Sequence, residues 1–252
     1  MGRLAANPIR KVEKPRIDRR PKIRFLDAGE ESRLRSTLRD RDAQMRLVRA
    51  SANRRRLARR EDLLPPLPHF GDHLTPAILL SMNTGLRLGE LLKLRWTNVH
   101  FDRRWLTVEG RDANSRQTRR VPLNAEAVDV LTRWREQSRP QKRVFDVSRS
   151  FKTAWWHLLQ RADVPNFRWH DLRHHFASRL VQAGVPLNTV RDLLGHSSVA
   201  MSLRYAHLAP DQRCEAVAKL DERPMFATSM RLPWRVVSPM GGYVFETPPL
   251  RL

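Results

Sequence analysis

Three short stretches of this sequence carry side chains suited to handling a phosphate. In "NTGLRLGELLKLRW" (83–96), Arg87 follows a Thr-Gly turn and opens a helix, where outward N–H groups favour anions. Glu90, three residues on, can pair with Arg87 and orient it. Taken alone, the stretch also fits an exposed helix arginine. In "FRWHDLRHHFASRL" (167–180), His170 and Arg173 share one helix face and offer an imidazole plus a bidentate fork. His170 and His174 also have the spacing of a helical zinc pair. Against zinc, position 171 is an aspartate and no glutamate stands where a zinc-protease motif needs it. Phe176 and Leu180 are expected on the core face. In "LGHSSVAMSLRYAHL" (194–208), His196 lies just past one helix end and Tyr205 is expected on the next helix. By itself Tyr205 reads first as a packed aromatic and second as a nucleophile.

The elements that must hold these residues are mostly helical. Asp27 and Glu30 form a capping pattern, and Leu34 and Leu38 share the face of the helix that follows. Residues 41–61 are arginine-rich and fit either a solvated face or a phosphate-contacting one. "PPLP" (65–68) breaks the chain, and "TPAILLSM" opens a helix with Thr75 as cap and Pro76 in the first turn. "RWLTVEG" (104–110) and "TRRVPLN" (118–124) alternate as two strands of a hairpin with a longer loop. Asn124 caps the next helix, which carries Val128, Leu131 and Trp134 or Arg135 at helical spacing. Further helices are expected near 148–162, 170–183, 186–194, 198–206 and 211–222, punctuated by Gly184, Pro186 and Gly195. The fold class is mainly α with a small antiparallel β-sheet (α+β).

The ordered set "TGLRLGELLKL … HDLRHHFAS … LLGHSSVAMSLRYAHL" resembles the catalytic domain of the tyrosine recombinases, the phage integrase family. The resemblance covers about residues 24–222. It implies a C-shaped catalytic domain wrapping half of a DNA duplex, with protomers assembling as tetramers on two DNA sites. It puts the phosphate-clamping arginines at Arg87 and Arg173 and the active-site histidines at His170 and His196. The nucleophile falls at Tyr205, with Glu90 supporting the first arginine. It also implies a C-terminal helix, here 211–222, that docks on a neighbouring protomer. Such a site cleaves and rejoins DNA through a covalent 3′-phosphotyrosyl bond and uses no metal, cofactor or ATP. Two arginines and hydrogen-bonding histidines stabilise the charge that grows on the phosphate oxygens.

Two features depart from the family pattern. The hairpin loop "EGRDANSRQTRRVPL" (109–123) has no lysine, and the usual catalytic-lysine position falls on Asn114. An amide is no general acid, and the nearby Arg111 and Arg116 release protons poorly. About 23 residues precede the catalytic domain, where the family usually carries an N-terminal DNA-gripping domain. Both favour an alternative reading, a truncated or degenerate integrase acting only as a DNA-binding module. A type IB topoisomerase shares the arrangement, but the motif wording fits integrases better.

Bulk composition agrees with a nucleic-acid partner. The 252 residues carry a net charge of +22 from 48 Lys+Arg and 26 Asp+Glu. Residues 1–60 contribute 20 basic and 7 acidic side chains. This excess predicts attraction to double-stranded DNA and counts against a helical binding protein unrelated to DNA. Arg54, Arg55, Arg56, Arg59, Arg60, Arg111 and Arg116 are the candidate DNA contacts. Residues 1–23 read as a basic arm or linker, and 223–252, with five prolines, as a poorly ordered tail. Cys214 is the single cysteine, so neither an internal disulfide nor a cysteine-based zinc site is expected. With no secretory signal and no apolar run of about 18 residues, the expectation is a cytoplasmic, nucleoid-associated protein without a membrane.

Overall fold

Asp27 starts the first helix, α1 (Ala28–Ala58), through a reciprocal cap: its carboxylate accepts from Glu30 N at 2.7 Å, and Glu30 accepts from Asp27 N at 3.1 Å. The computed structural model describes residues 23–112, 117–138, 141–145 and 152–210. All of these belong to one compact unit that ends at Pro210. The arm up to residue 22, Asn114, Arg116, residues 148–151, Cys214, the expected helix 211–222 and the tail lie outside the described residues.

Leu34 and Leu38 anchor α1 in a core shared with α2 (Leu74–Thr84), α5 (Lys152–Arg161) and α6 (Trp169–Gln182). Past Asp42 the helix leaves the core, and its polar side chains hold the chain that follows. Arg46, Arg49, Asn53 and Arg56 donate to the carbonyls of His69, Pro65, Leu64 and Asp62. Arg56 also pairs with Glu61, while Arg54, Arg55, Arg59 and Arg60 are exposed.

Thr75 is not the cap of α2. The helix begins at Leu74, and the Thr75 hydroxyl donates to the buried Asp42 carboxylate of α1 at 3.0 Å. A partner 33 residues away has captured a side chain that local spacing assigned to a cap. Asp42 also accepts from Gly71 N, and burial pushes its pKa up against the help of these bonds.

Three antiparallel strands follow in the order β1 (Val99–His100), β2 (Trp105–Val108) and β3 (Arg119–Pro122). Leu106 pairs with Val99 on one side and Val121 on the other. These three side chains, with Val108, face a second core built with α2, α3 (Leu88–Lys93) and α4 (Ala125–Gln137). The short β1 escaped the sequence reading because two residues are too few to show alternation. Asn124 caps α4 by accepting from Ala127 N. The buried stripe of α4 is Ala127, Val130, Leu131 and Trp134; Val128 is half-buried, and Arg135 lies over the Trp96 ring.

The third core joins α6, α7 (Leu187–Leu194) and Tyr205. Its α6 side chains are Ala177 and Val181, while Phe176 and Leu180 pack only at its margin. The expected helix 198–206 is shorter than its spacing predicts. α8 spans Val199–Leu203, and Tyr205 stands beyond it, ahead of a 3-10 turn at Ala206–Leu208. There the Tyr205 N–H bonds the Ser202 carbonyl, a tightening of the last turn that accompanies the swing of the ring into the core.

Candidate active site

Two left-handed glycines prepare the site. Gly85 ends α2 at φ 63°, and a Cβ there would lie 2.5 Å from Phe176. Gly195 ends α7 at φ 64°, and a Cβ there would lie 2.9 Å from the Arg119 side chain. Other residues would meet both a strained backbone and a clash.

These turns offer carbonyls to Arg173 of α6. Its guanidinium donates to Gly85 O at 2.8 Å and to Leu194 O at 2.6 Å. Burial, with repulsion from Arg87, lowers its pKa to about 9, so it remains a cation at neutral pH. Arg87 is the residue just ahead of α3 rather than within its first turn. Its backbone N–H and one guanidinium nitrogen donate to Glu90 at 2.9 and 3.1 Å. Glu90 is buried and also takes both forks of Arg119, at 3.1 and 2.7 Å. Burial opposes its charge, but the Arg119 bonds prevail and hold its carboxyl below the usual range. Arg119 in turn donates from Nε to Leu193 O at 3.1 Å. Strand β3, helix α3 and the end of α7 are thus tied at one carboxylate.

Arg87, Arg173, His170, His196 and Tyr205 all line one concave cleft of roughly 440 Å³. His170 is exposed at its mouth; partial loss of hydration and the nearby Arg173 and Arg87 lower its pKa. His196 meets the Ser202 hydroxyl through Nδ1 at 2.9 Å. Burial and the two arginines lower its pKa to about 3, leaving a neutral imidazole at pH 7. Tyr205 is 1% exposed yet borders the cleft, and its hydroxyl meets His174 Nδ1 at 2.7 Å. Burial raises the tyrosine pKa despite the cations Arg173 and Arg204. Two guanidiniums and two imidazoles beside one phenol can grip a phosphodiester and attack it.

Arg54, Arg55, Arg56, Arg59, Arg60 and Arg111 do not line this cleft. Arg111 sits in the turn after β2, exposed and paired with Glu109 at 2.5 Å. Sequence reasoning missed Arg119, Ser202 and the contact of His174 with Tyr205. The signal for Arg119 was present: it shares strand parity with the buried Val121, while Arg120 faces out over the Trp105 ring. For His174 the spacing offers only a zinc alternative, against which position 171 counts, and no contact with Tyr205. The His174 ring stacks edge-on against His170 at 4.9 Å, and among the described residues no three His, Cys, Asp or Glu side chains form a metal-holding group. No helix among the described residues is long and apolar enough to cross a membrane.

The architecture matches solved recombinase structures. The catalytic domain of bacteriophage HP1 integrase aligns at TM-score 0.56 and 22% identity, covering 79% of this chain and 96% of that one. XerA recombinase aligns at TM-score 0.51 and 20% identity, covering 79% and 65%. In sequence, the integrase of Salmonella phage P22 is 33% identical over 62% of this chain and 44% of its own length. A XerC-like tyrosine recombinase of Caldanaerobacter subterraneus subsp. tengcongensis is 30% identical over 60% of this chain and 50% of its own. A shufflon-specific DNA recombinase of Escherichia coli is 28% identical over 88% and 49%. The chain thus spans about half the length of the curated relatives it matches. The family model for phage integrases matches residues 70–212, a span that holds the whole cleft, and the chain belongs to the phage integrase family.

Proposed function

We propose that this chain is the catalytic part of a site-specific DNA recombinase that cleaves and rejoins double-stranded DNA through Tyr205. The observation that carries the reading is the convergence of Arg87, Arg173, His170, His196 and Tyr205 on one cleft from separate turns and helices. Arg87 and Arg173 hold the nonbridging oxygens, and His170 and His196 donate hydrogen bonds to them. The Tyr205 oxygen attacks phosphorus, and the 3′-phosphotyrosyl ester keeps the bond energy for rejoining. The exposed Arg54, Arg55, Arg59 and Arg60 supply sequence-independent phosphate attraction. Work as a tetramer on two DNA sites, in the cytoplasm at the nucleoid, follows from the same reading.

One observation favours a second reading, DNA binding without cleavage: the loop 109–123 carries no lysine, and Asn114 stands at the expected proton donor. A pool of nicked duplexes of random sequence separates the two. Wild type should give an SDS-resistant protein–DNA adduct, Tyr205→Phe none, and Asn114→Lys a faster one by up to about 10²-fold. Salt-sensitive binding with no adduct from any of the three proteins overturns the enzymatic reading.

A further inference from the structure

We propose that His174 is a catalytic residue, the base that takes the proton from the Tyr205 hydroxyl as that oxygen attacks phosphorus. The inference rests on the recombinase reading of the cleft and assigns a step that reading leaves open. A phenol is a weak nucleophile until its proton leaves, and burial makes that harder for Tyr205. The site therefore needs an acceptor within hydrogen-bond reach of one oxygen.

Geometry selects it. His174 Nδ1 lies 2.7 Å from the Tyr205 hydroxyl, and both residues are buried. The other two histidines are otherwise placed. His196 Nδ1 is held by Ser202, and His170 stands at the exposed mouth. His174 follows Arg173 directly on α6, so the helix that anchors the buried arginine also fixes the base beside the phenol. The charged and titratable groups around the pair are His170, Asp171 and Arg173 of α6, Arg204 after α8, and His196 after α7.

The same surroundings keep the pair silent at rest. Burial first, then His170, lower the His174 pKa to about 4, so the imidazole is neutral and free to accept. With the tyrosine pKa raised, the proton stays on oxygen while the cleft is unoccupied. A phosphodiester in the cleft brings negative charge beside the imidazole and raises its proton affinity. The step balances without a free phenolate. The Tyr205 O–H bond breaks as O–P forms, its proton passing to His174 Nδ1. The P–O5′ bond breaks, its electron pair leaving with the 5′-oxygen, which takes a proton from water. His174 then returns its proton to solvent.

The test is single-turnover adduct formation by wild type, Tyr205→Phe, His174→Ala and His174→Asn across about pH 6 to 9. Asparagine can keep a hydrogen bond to the phenol but is no base. Wild type should show a shallow pH dependence. His174→Asn should lose about 10²–10⁴-fold at neutral pH and rise about tenfold per pH unit, because hydroxide must now remove the proton. His174→Ala should match that slope. A loss that keeps the wild-type slope means packing alone, and wild-type behaviour from His174→Asn means hydrogen bonding alone; either overturns the proposal. In the protein alone, ¹⁵N NMR of labelled histidine should find His174 protonated on Nε2, whereas a proton on Nδ1 overturns it. Absence of adduct from wild type ends the recombinase reading and this step with it. Adduct from wild type and equally from His174→Asn ends this step only.

Discussion

The two halves of the cleft are built in different ways. On the clamp side, Arg173 is fixed by two backbone carbonyls, and Arg87 by a carboxylate that Arg119 locks from a separate strand. On the nucleophile side, the Tyr205 ring is packed in the third core, and the polar tips of His196 and Tyr205 are each fixed by one side-chain hydrogen bond, to Ser202 and His174. Carbonyls at left-handed glycines and a buried ion cluster move only if the fold moves. A hydroxyl or imidazole contact breaks with one rotamer change. Under the proposed function, the clamp would meet the phosphate preorganised, where fixed charge stabilises the developing oxyanions best, while the hydrogen bonds of His196 and of the Tyr205 hydroxyl could rearrange around bound DNA. Mutations on the clamp side should accordingly cost stability and chemistry together, and those on the nucleophile side chemistry more than stability.

The largest effect is expected at Glu90. Glu90→Gln leaves Arg119 and Arg87 without their shared counter-charge, one of them buried, at a cost of about 3–5 kcal/mol in unfolding free energy. The folded carboxyl titrates below its usual range. Its stabilisation is therefore complete above the unfolded carboxylate pKa and fades as pH falls through the lower folded value. Urea melts across acidic pH should show that loss in wild type and a shallower one in Glu90→Gln. An equal slope in both would mean that the ion cluster is not what fastens the clamp.

Arg173→Lys comes next. Lysine keeps the charge but lacks the fork that spans Gly85 O and Leu194 O. One carbonyl is left unsatisfied, at about 1–3 kcal/mol. Adduct formation should fall about 10²–10³-fold, the worth of a displaced oxyanion donor. If the Arg173→Lys variant cleaves like wild type, charge alone suffices and the backbone scaffold of the clamp adds nothing.

The sequence made one side of this comparison easier to read than the other. Arg87, Glu90, His170 and Arg173 sit at helical spacings of three, which local periodicity exposes. The helix α4 and the cap at Asp27 were legible for the same reason, because the partners lie within a turn. For Arg119 strand parity shows only that the side chain faces inward; its partner Glu90 is 29 residues away, and nothing local names that carboxylate. Thr75 failed likewise, its hydroxyl going to Asp42 rather than to its own helix. At His174 the local i, i+4 pair offers only a zinc alternative that the neighbouring residues disfavour, while its contact with Tyr205 spans 31 residues. The helix expected through 206 stopped at Leu203, where packing of Tyr205 outweighed helical spacing.

The smallest effect is expected on the nucleophile side, at Ser202. Its side chain is buried, but its contact with His196 is a neutral one, since burial and the two arginines lower that imidazole's pKa to about 3. Ser202→Ala removes one neutral hydrogen bond, worth about 0.5–1.5 kcal/mol. His196 loses its orienting contact but keeps its place in the chain. Adduct formation should therefore drop about 3- to 10-fold, with the urea midpoint falling less than in Arg173→Lys. Ser202→Cys, which keeps a weak donor and acceptor, should fall between alanine and wild type. A loss as deep as that of Arg173→Lys, or an equal fall in stability, would make the two halves equally rigid. The nucleophile would then have to be delivered by movement of the whole α8 segment rather than by its side chains.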